Sequence, residues 1–286
     1  PVDDSRTSVG ECRMPNAECR PPLADGGHPK YNPPVTAKRE LVTCLLSVEP
    51  AGDDAVGAVA RLSAELDRMG RDAQILVLDH AGNVNPGDLK TGAGHTVERL
   101  RPTSDESPAD LFRRAVKQAA GDWILRVPAA GLDFAFLVKL FARTRAGKVP
   151  ADMVVGVRPS AGAGPLARFA RGLNEWLLGL VFGVPVSDAG SPVALLRRNL
   201  LDENLPHAAG AFFGWELVAR ANFTGKLVDE LPLLGAWTAG PPRSPGWFGI
   251  WRQANHLLHH PDFPVRPIAV GAPAPEPARK KKNRRG

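Results

Sequence analysis

The sequence has no apolar run long enough to cross a bilayer: the longest, Trp176 to Val186, is 11 residues, against the roughly 18 to 20 that a helical span requires. It does not open on the charged-then-apolar pattern of a secretory leader. Cysteine is scarce, with Cys12, Cys19 and Cys44 alone. An odd number cannot pair completely, and no metal-type spacing such as C-x-x-C occurs. Cys44 lies inside a strand-like apolar run. The expectation is a cytoplasmic protein in a reducing compartment, without a transmembrane helix.

Several chemistries are excluded by missing motifs. There is no G-x-x-x-x-G-K-[ST] phosphate loop, no strand-linked G-x-G-x-x-G and no G-x-S-x-G nucleophile elbow, so ATPase, dehydrogenase and hydrolase readings fall away. His256, His259 and His260 have helical spacing but no neighbouring Glu or Cys to complete a metal site. They read as an exposed helix end.

The charge is unevenly placed. The formal net charge is +6, and Arg279, Lys280, Lys281, Lys282, Arg284 and Arg285 supply all of it, since the remaining charges cancel. A neutral body with a cationic tail argues against a broad nucleic-acid-binding face and for a local contact with an anionic surface, whether lipid, nucleic acid or protein, of which an anionic membrane surface is the expected partner. A solvated tail that aids solubility is the plainer alternative.

The 28 prolines and 29 glycines gather outside the periodic segments. Residues 1–38 mix Pro, Gly, Asp and Arg without apolar periodicity and read as a disordered arm. Residues 39–260 read as one α/β domain, and residues 261–286 as a Pro-rich, basic, disordered tail. Within the domain, apolar runs of strand length fall at Leu41–Leu46, Gln74–Leu78, Thr96–Leu100, Trp123–Val127 and Met153–Val157. Helical patterns lie between them, over 53–69, 108–120 and 132–145. Alternation of this kind implies a mostly parallel sheet flanked by helices. The second half reads as helices over Pro165–Phe182, Val193–Leu201 and Phe213–Asn222, a short strand at Lys226–Leu231, and an aromatic amphipathic stretch around Trp247 and Trp251. Leu177, Leu178, Leu180, Val181 and Phe182 read as core.

Particular segments carry a family likeness. Ile75-Leu76-Val77-Leu78-Asp79-His80 is a strand ending on an acidic residue. Ala119-Ala120-Gly121-Asp122-Trp123-Ile124-Leu125 runs into Pro128-Ala129-Ala130. Asp152-Met153-Val154-Val155-Gly156-Val157-Arg158 precedes a basic helix with Arg168, Arg171, Gly172 and Asn174. Val186-Ser187-Asp188-Ala189-Gly190-Ser191, Phe213 to Ala221 and Gly225 to Leu233 complete the set. Over about Leu41 to Arg252 the chain resembles the family 2 glycosyltransferases, and within them the polyprenyl-phosphate sugar transferases typified by dolichol-phosphate mannose synthase. The resemblance implies the GT-A nucleotide-diphospho-sugar transferase fold.

The resemblance also implies roles. Asp79 matches the first member of an aspartate pair that holds the nucleotide base or ribose, whereas His80 departs from it; a turn-forming Asp at a strand end fits the residues equally. Glu49, after the first strand, and Arg126 fall among the implied substrate contacts. The family's metal-binding aspartates are replaced by Pro128-Ala129-Ala130, so no metal ligand is assigned, although the family uses Mg2+ or Mn2+ to bridge the diphosphate. Asp133 is the nearby carboxylate that a shifted loop brings into that place. Arg158 ends the family's G-x-R strand, and Arg168 and Arg171 lie near the acceptor phosphate, where guanidinium forks suit bidentate contacts; solvation of a helix face is the other reading of these helix arginines. Asp188 and Ser191 match an Asp-x-x-Ser element, but Pro192-Val193-Ala194 stands where Gly-Phe-Arg follows in the family. Trp237 and Arg243 fall near its active-site flap.

Two functions follow. One is transfer of a sugar from a nucleotide-sugar donor to an acceptor such as polyprenyl phosphate, catalysed at Asp133, Arg158 and Asp188, with the cationic tail and the Trp247/Trp251 stretch docking the enzyme on an anionic membrane. An anionic acceptor needs no strong base, and arginines at 126, 158, 168 and 171 would stabilise the leaving diphosphate. The other is a catalytically inactive relative that keeps the fold as a binding or scaffold protein.

Overall fold

The computed structural model describes residues 40–49, 54–92, 94–145, 150–159, 165–184, 186–207, 212–238 and 247–259, without the side chains at 165–168, 170, 171, 174, 203, 204, 247 and 248. The expected arm, the basic tail and Arg243 lie outside these residues.

Seven strands form one sheet in the order β3-β2-β1-β4-β6-β5-β7. They are β1 Leu41–Val48, β2 Asp72–Asp79, β3 His95–Leu100, β4 Trp123–Pro128, β5 Met153–Val157, β6 Ala194–Arg197 and β7 Val228–Pro232. The helices are α1 Ala55–Arg68, α2 Pro108–Gln118, α3 Leu137–Arg143, α4 Pro165–Phe182, α5 Arg198–Asn204, α6 Phe213–Phe223 and α7 Trp247–His259. All neighbouring strands run parallel except β6, which is antiparallel to both β4 and β5.

The near-continuous apolar character of β1 follows from its central place, because helices cover both faces of the sheet. Val42, Cys44 and Leu46 pack on one face with Leu62 and Leu66 of α1 and Leu137 and Leu140 of α3. Leu45 turns to the other face, where Phe112, Phe182, Phe213 and Trp215 form a second core layer. Burial of each such side chain contributes about 1.5–3 kcal/mol. Burial also pushes the Cys44 thiol pKa up, which leaves it protonated and inert as packing.

Helix starts are fixed by side chains. Asp54 accepts from the Gly57 amide at the head of α1. Ser107 and Asp110 form a reciprocal capping box before α2, with Pro108 in the first turn. On α1 the buried face is Ala55, Ala58, Val59, Leu62 and Leu66, whereas Val56 is exposed.

Three expectations are corrected. Val193–Leu201 is not one helix: Ala194–Arg197 is a strand and Arg198 begins α5. The stretch pairs on both sides with β4 and β5, and that pairing outweighs the helix preference of Ala and Leu. The pattern over 132–145 resolves into a 3-10 turn at Phe134–Phe136 followed by α3. On α4, Leu178 and Phe182 are buried as expected, but Leu180 is 68% exposed and Val181 lies at the surface. Phe169, Leu173, Trp176 and Leu180 instead form an exposed ridge, with Phe169 68% and Trp176 62% open to solvent. Their spacing of three and four residues places them on one side of the helix.

No described helix is long and apolar enough to cross a membrane. On α7, Ile250, Ala254 and Leu257 pack into the core and Trp251 lies partly against it; His256 and His259 are exposed.

Candidate functional site

The chain passes from β1 to β2 and β3 on one side of the sheet, then returns to β4 on the other. The crevice beyond the carboxyl ends of β1 and β4 is therefore a topological switch point, where open α/β sheets bind ligands. Glu49 follows β1 and is exposed. Arg126 lies on β4 in register with Leu45 of β1 and Ala194 of β6.

The Arg126 guanidinium rests on two aromatic rings, with Cζ 5.1 Å from the centroid of Phe213 and 6.0 Å from that of Phe112. The two rings themselves meet edge to face at 4.7 Å. Burial and the like charge of Arg158 lower the Arg126 pKa to about 10, with Glu49 acting weakly in the opposite direction. Arg126, Arg158 and Glu49 thus share one electrostatic neighbourhood at the strand ends.

Arg158 follows β5. Its Nε donates to Asp188 Oδ2 at 2.8 Å and its Nη2 to Oδ1 at 2.7 Å, while its backbone amide donates to Oδ2 at 3.1 Å. Asp188 is buried and holds the turn beneath it: its carbonyl accepts from the Ser191 amide at 3.0 Å. Ser191 Oγ in turn accepts from the Val193 amide at 3.2 Å. Asp188 and Ser191 are thereby occupied in shaping the loop that seats Arg158.

A glycine makes this loop's packing possible. A Cβ on Gly214 would lie 2.3 Å from the Ala189 carbonyl oxygen, so only glycine lets the head of α6 approach the turn. The Trp215 indole nitrogen and the Arg158 Nη2 both face Gly190, 3.8 and 3.9 Å from where a Cβ would stand. Glu230 of β7 braces the same turn, accepting from Ser187 Oγ at 3.0 Å and from its amide.

Trp237 closes the other side. Its ring centroid lies 5.9 Å from the Arg158 guanidinium carbon, and it bridges to Leu132 in the loop after β4. The Asp133 amide donates to the Ala236 carbonyl at 2.8 Å and the Thr238 amide to the Gly131 carbonyl at 2.9 Å. The segment 129–133 is thus laced to the segment carrying Trp237.

Asp79 is fully buried at the end of β2. Its Oδ1 accepts from the amides of Gly82 and Asn83 at 2.8 and 3.3 Å, and its Oδ2 from the Val84 amide and Arg99 Nε at 2.9 Å each. Gly82 takes a positive φ of 74° in this loop. Of the two roles open to Asp79, these contacts describe the turn-forming one.

The residues at and just beyond the end of β4 do not fit a divalent cation. Pro128 and Ala130 have no donor oxygen on their side chains, and Asp133 is exposed and uses Oδ1 to accept from the Ala135 amide at 3.0 Å. Among the described residues no group of three or more His, Cys, Asp or Glu is placed to hold a metal ion. Arg168 and Arg171 lie on α4, their side chains outside the described set, as is all of Arg243.

Phe112, Phe213 and Glu230 are contributors that the sequence pattern did not point out. The available signal for the first two was Arg126 itself, a charge inside an otherwise apolar strand that requires special neighbours.

No protein-family model matches the chain, and no curated protein matches it by sequence. Among solved structures, the chain is similar to glucosyl-3-phosphoglycerate synthase from Mycobacterium tuberculosis in complex with Mn2+, uridine-diphosphate-glucose and phosphoglyceric acid, at a TM-score of 0.55 and 18% identity, covering 77% of this chain and 78% of that one. The same synthase with phosphoglyceric acid gives 0.53 and 16%, covering 77% of each chain. A further mycobacterial protein gives 0.53 and 17%, with 77% of this chain and 72% of that one covered. At such identities the likeness establishes the fold: a mixed α/β, mostly parallel sheet of the GT-A type.

Proposed function

We propose that this protein transfers a sugar from a nucleotide-sugar donor to an acceptor that is itself a phosphate, with polyprenyl phosphate as the acceptor class. The observation that supports this best is the pair of guanidinium groups, Arg126 and Arg158, at the switch-point crevice of a GT-A sheet. Convergent positive charge in a crevice suits a ligand whose phosphates must be held and whose leaving group gains charge as it departs.

In the transfer, the bond from the sugar C1 to the diphosphate oxygen breaks and its electron pair leaves with the nucleoside diphosphate. A lone pair of the acceptor oxygen forms the new bond to C1. A phosphate acceptor is already ionised at neutral pH, so no side chain has to remove a proton. That matches a site in which Asp188 is committed to Arg158 and Asp79 to its own loop. The Arg158–Asp188 pair then positions rather than abstracts, and Trp237 covers the crevice beside it.

A lipid-borne acceptor further assigns the protein to an anionic membrane surface. The uncharged ridge Phe169, Leu173, Trp176 and Leu180 on α4 supports this, because exposed aromatic and aliphatic side chains on one helix face suit the headgroup boundary. The cationic tail Arg279–Arg285 adds attraction to acidic lipids.

The test is calorimetric titration with UDP- and GDP-sugars, followed by transfer assays on a short-chain polyprenyl phosphate and on phosphoglycerate, the ligand of the similar synthase. Glycosyl polyprenyl phosphate formed from a donor that binds bears the reading out. Binding without transfer to either acceptor reduces the protein to a nucleotide-sugar binder, and no binding across the donor panel removes the reading altogether.

A further inference from the structure

The two arginines of the crevice are satisfied in different ways. Arg158 is matched prong for prong by Asp188. Arg126 has no hydrogen bond or ion pair to any described residue; it is partly buried and, among the described residues, its close contacts are the two ring faces. A guanidinium held this way keeps its N–H groups available in the plane of the fork, the geometry that meets phosphate oxygens two at a time.

The environment of Arg126 is unfavourable to its charge in the absence of a ligand, since burial and Arg158 both oppose it and the pull of Glu49 is the weakest of the three influences. An anion in the crevice reverses that balance. Where a divalent cation would be expected beside such an anion, the loop offers Pro128, Ala129 and Ala130, and Asp133 is occupied as the cap of the following 3-10 turn. The structures to which the chain is similar include complexes with UDP together with Mn2+ or Mg2+, yet among the described residues no group of three or more His, Cys, Asp or Glu is placed to hold such an ion.

We infer that Arg126, and not a divalent metal, is the cation that meets the diphosphate in this protein, so that the site takes a nucleoside diphosphate independently of metal. This rests on the crevice being a nucleotide-sugar site. Phe112 and Phe213 fix the guanidinium before the ligand arrives, and Arg158, held by Asp188, supplies the second positive edge. Metal-independent binding distinguishes this site from one whose ligand arrives chelated.

The experiment is calorimetric titration of UDP and GDP into the full chain, once with EDTA and once with Mn2+, for the wild type, Arg126→Lys and Arg126→Met. The wild type is expected to bind one of the two nucleotides with affinities that agree within about twofold in the two buffers, because no carboxylate set is there to recruit the ion. Arg126→Met is expected to weaken binding by about tenfold or more in both buffers, and Arg126→Lys by less, since it keeps the charge without the fork. Uridine and guanosine, which carry no phosphate, should not distinguish wild type from Arg126→Met. Melting curves without ligand identify a variant that fails to fold, in which case the EDTA comparison on the wild type and the lysine variant decides. Wild-type binding that requires Mn2+, or nucleotide binding that Arg126→Met leaves unchanged, overturns this inference and leaves the proposed function standing. No binding of either nucleotide in either buffer overturns both.

Discussion

Arg158 and Asp188, 30 residues apart in the chain, meet through two side-chain hydrogen bonds of 2.8 and 2.7 Å and a third from the Arg158 backbone amide. The pair joins the end of β5 to the 186–191 loop, so the Arg158 guanidinium is fixed by an element that follows it only after α4. Because the Asp188 side chain is nearly fully buried, solvent has little access to the carboxylate side of the pair.

Removing Asp188 therefore leaves a largely buried cation uncompensated. Asp188→Ala is expected to destabilise the fold by about 3–5 kcal/mol, and a double-mutant cycle with Arg158→Met to show a coupling of about 2–3 kcal/mol. Urea unfolding of the four proteins measures both. Additivity within about 0.5 kcal/mol would mean that the two side chains do not act as a pair.

Asp79 gives a second test. Its four acceptor contacts serve the loop and Arg99, so Asp79→Ala should lower stability by about 3–5 kcal/mol whether or not nucleotide is present. If the carboxylate instead holds a base or ribose, the variant loses nucleotide affinity while its unliganded unfolding midpoint is unchanged. Unfolding with and without UDP or GDP separates the two roles.

These two aspartates show how much the sequence reveals. Asp79 and Asp188 are legible as acidic residues at the ends of strand-like and loop segments, and the apolar runs of β1, β2, β4 and β5 announce a buried parallel sheet by composition alone. What each carboxylate does is invisible, because its partners are set by chain folding: Arg99 for one, Arg158 for the other. The cradle of Arg126 is hidden for the same reason, since Phe112 and Phe213 come from α2 and α6. Ala194–Arg197 misleads because Ala and Leu favour helix locally, and its strand exists only through pairing with β4 and β5. Leu180 misleads in the opposite direction, as hydrophobicity does not say which face of the continuously apolar end of α4, Leu177 to Phe182, meets the core.

Acid should weaken the head of α2. The Ser107 hydroxyl, then Arg113 and the Ser107 amide, hold the Asp110 carboxyl down at about 2. A depressed folded-state value means that Asp110 contributes stability above its ordinary value near 3.8, and that this contribution is lost as pH falls through the window down to about 2. Asp110→Asn should accordingly flatten the pH dependence of stability between those limits, lowering stability at pH 7, where the contribution is fully present, and converging on the wild type in strong acid. An acid titration followed by circular dichroism checks this; identical acid limbs in wild type and variant would remove Asp110 from the account.

The ridge on α4 gives a test of the proposed membrane attachment. Trp176 and Leu180 are 62% and 68% exposed, so replacing them with Asp removes no core packing and should change stability by no more than about 0.5 kcal/mol. An acidic pair in the middle of an apolar face should nonetheless repel a negatively charged bilayer and forfeit apolar insertion. Flotation with phosphatidylserine vesicles is expected to retain the wild type and release Trp176→Asp/Leu180→Asp, and deletion of residues 279–286 should weaken retention mainly at low salt, where the tail's charge is least screened. Transfer to a water-soluble phosphate acceptor should survive both changes, whereas transfer to vesicle-borne polyprenyl phosphate should fall with retention. Equal flotation of all three proteins would detach α4 and the tail from the membrane and leave the acceptor to be sought among soluble phosphates.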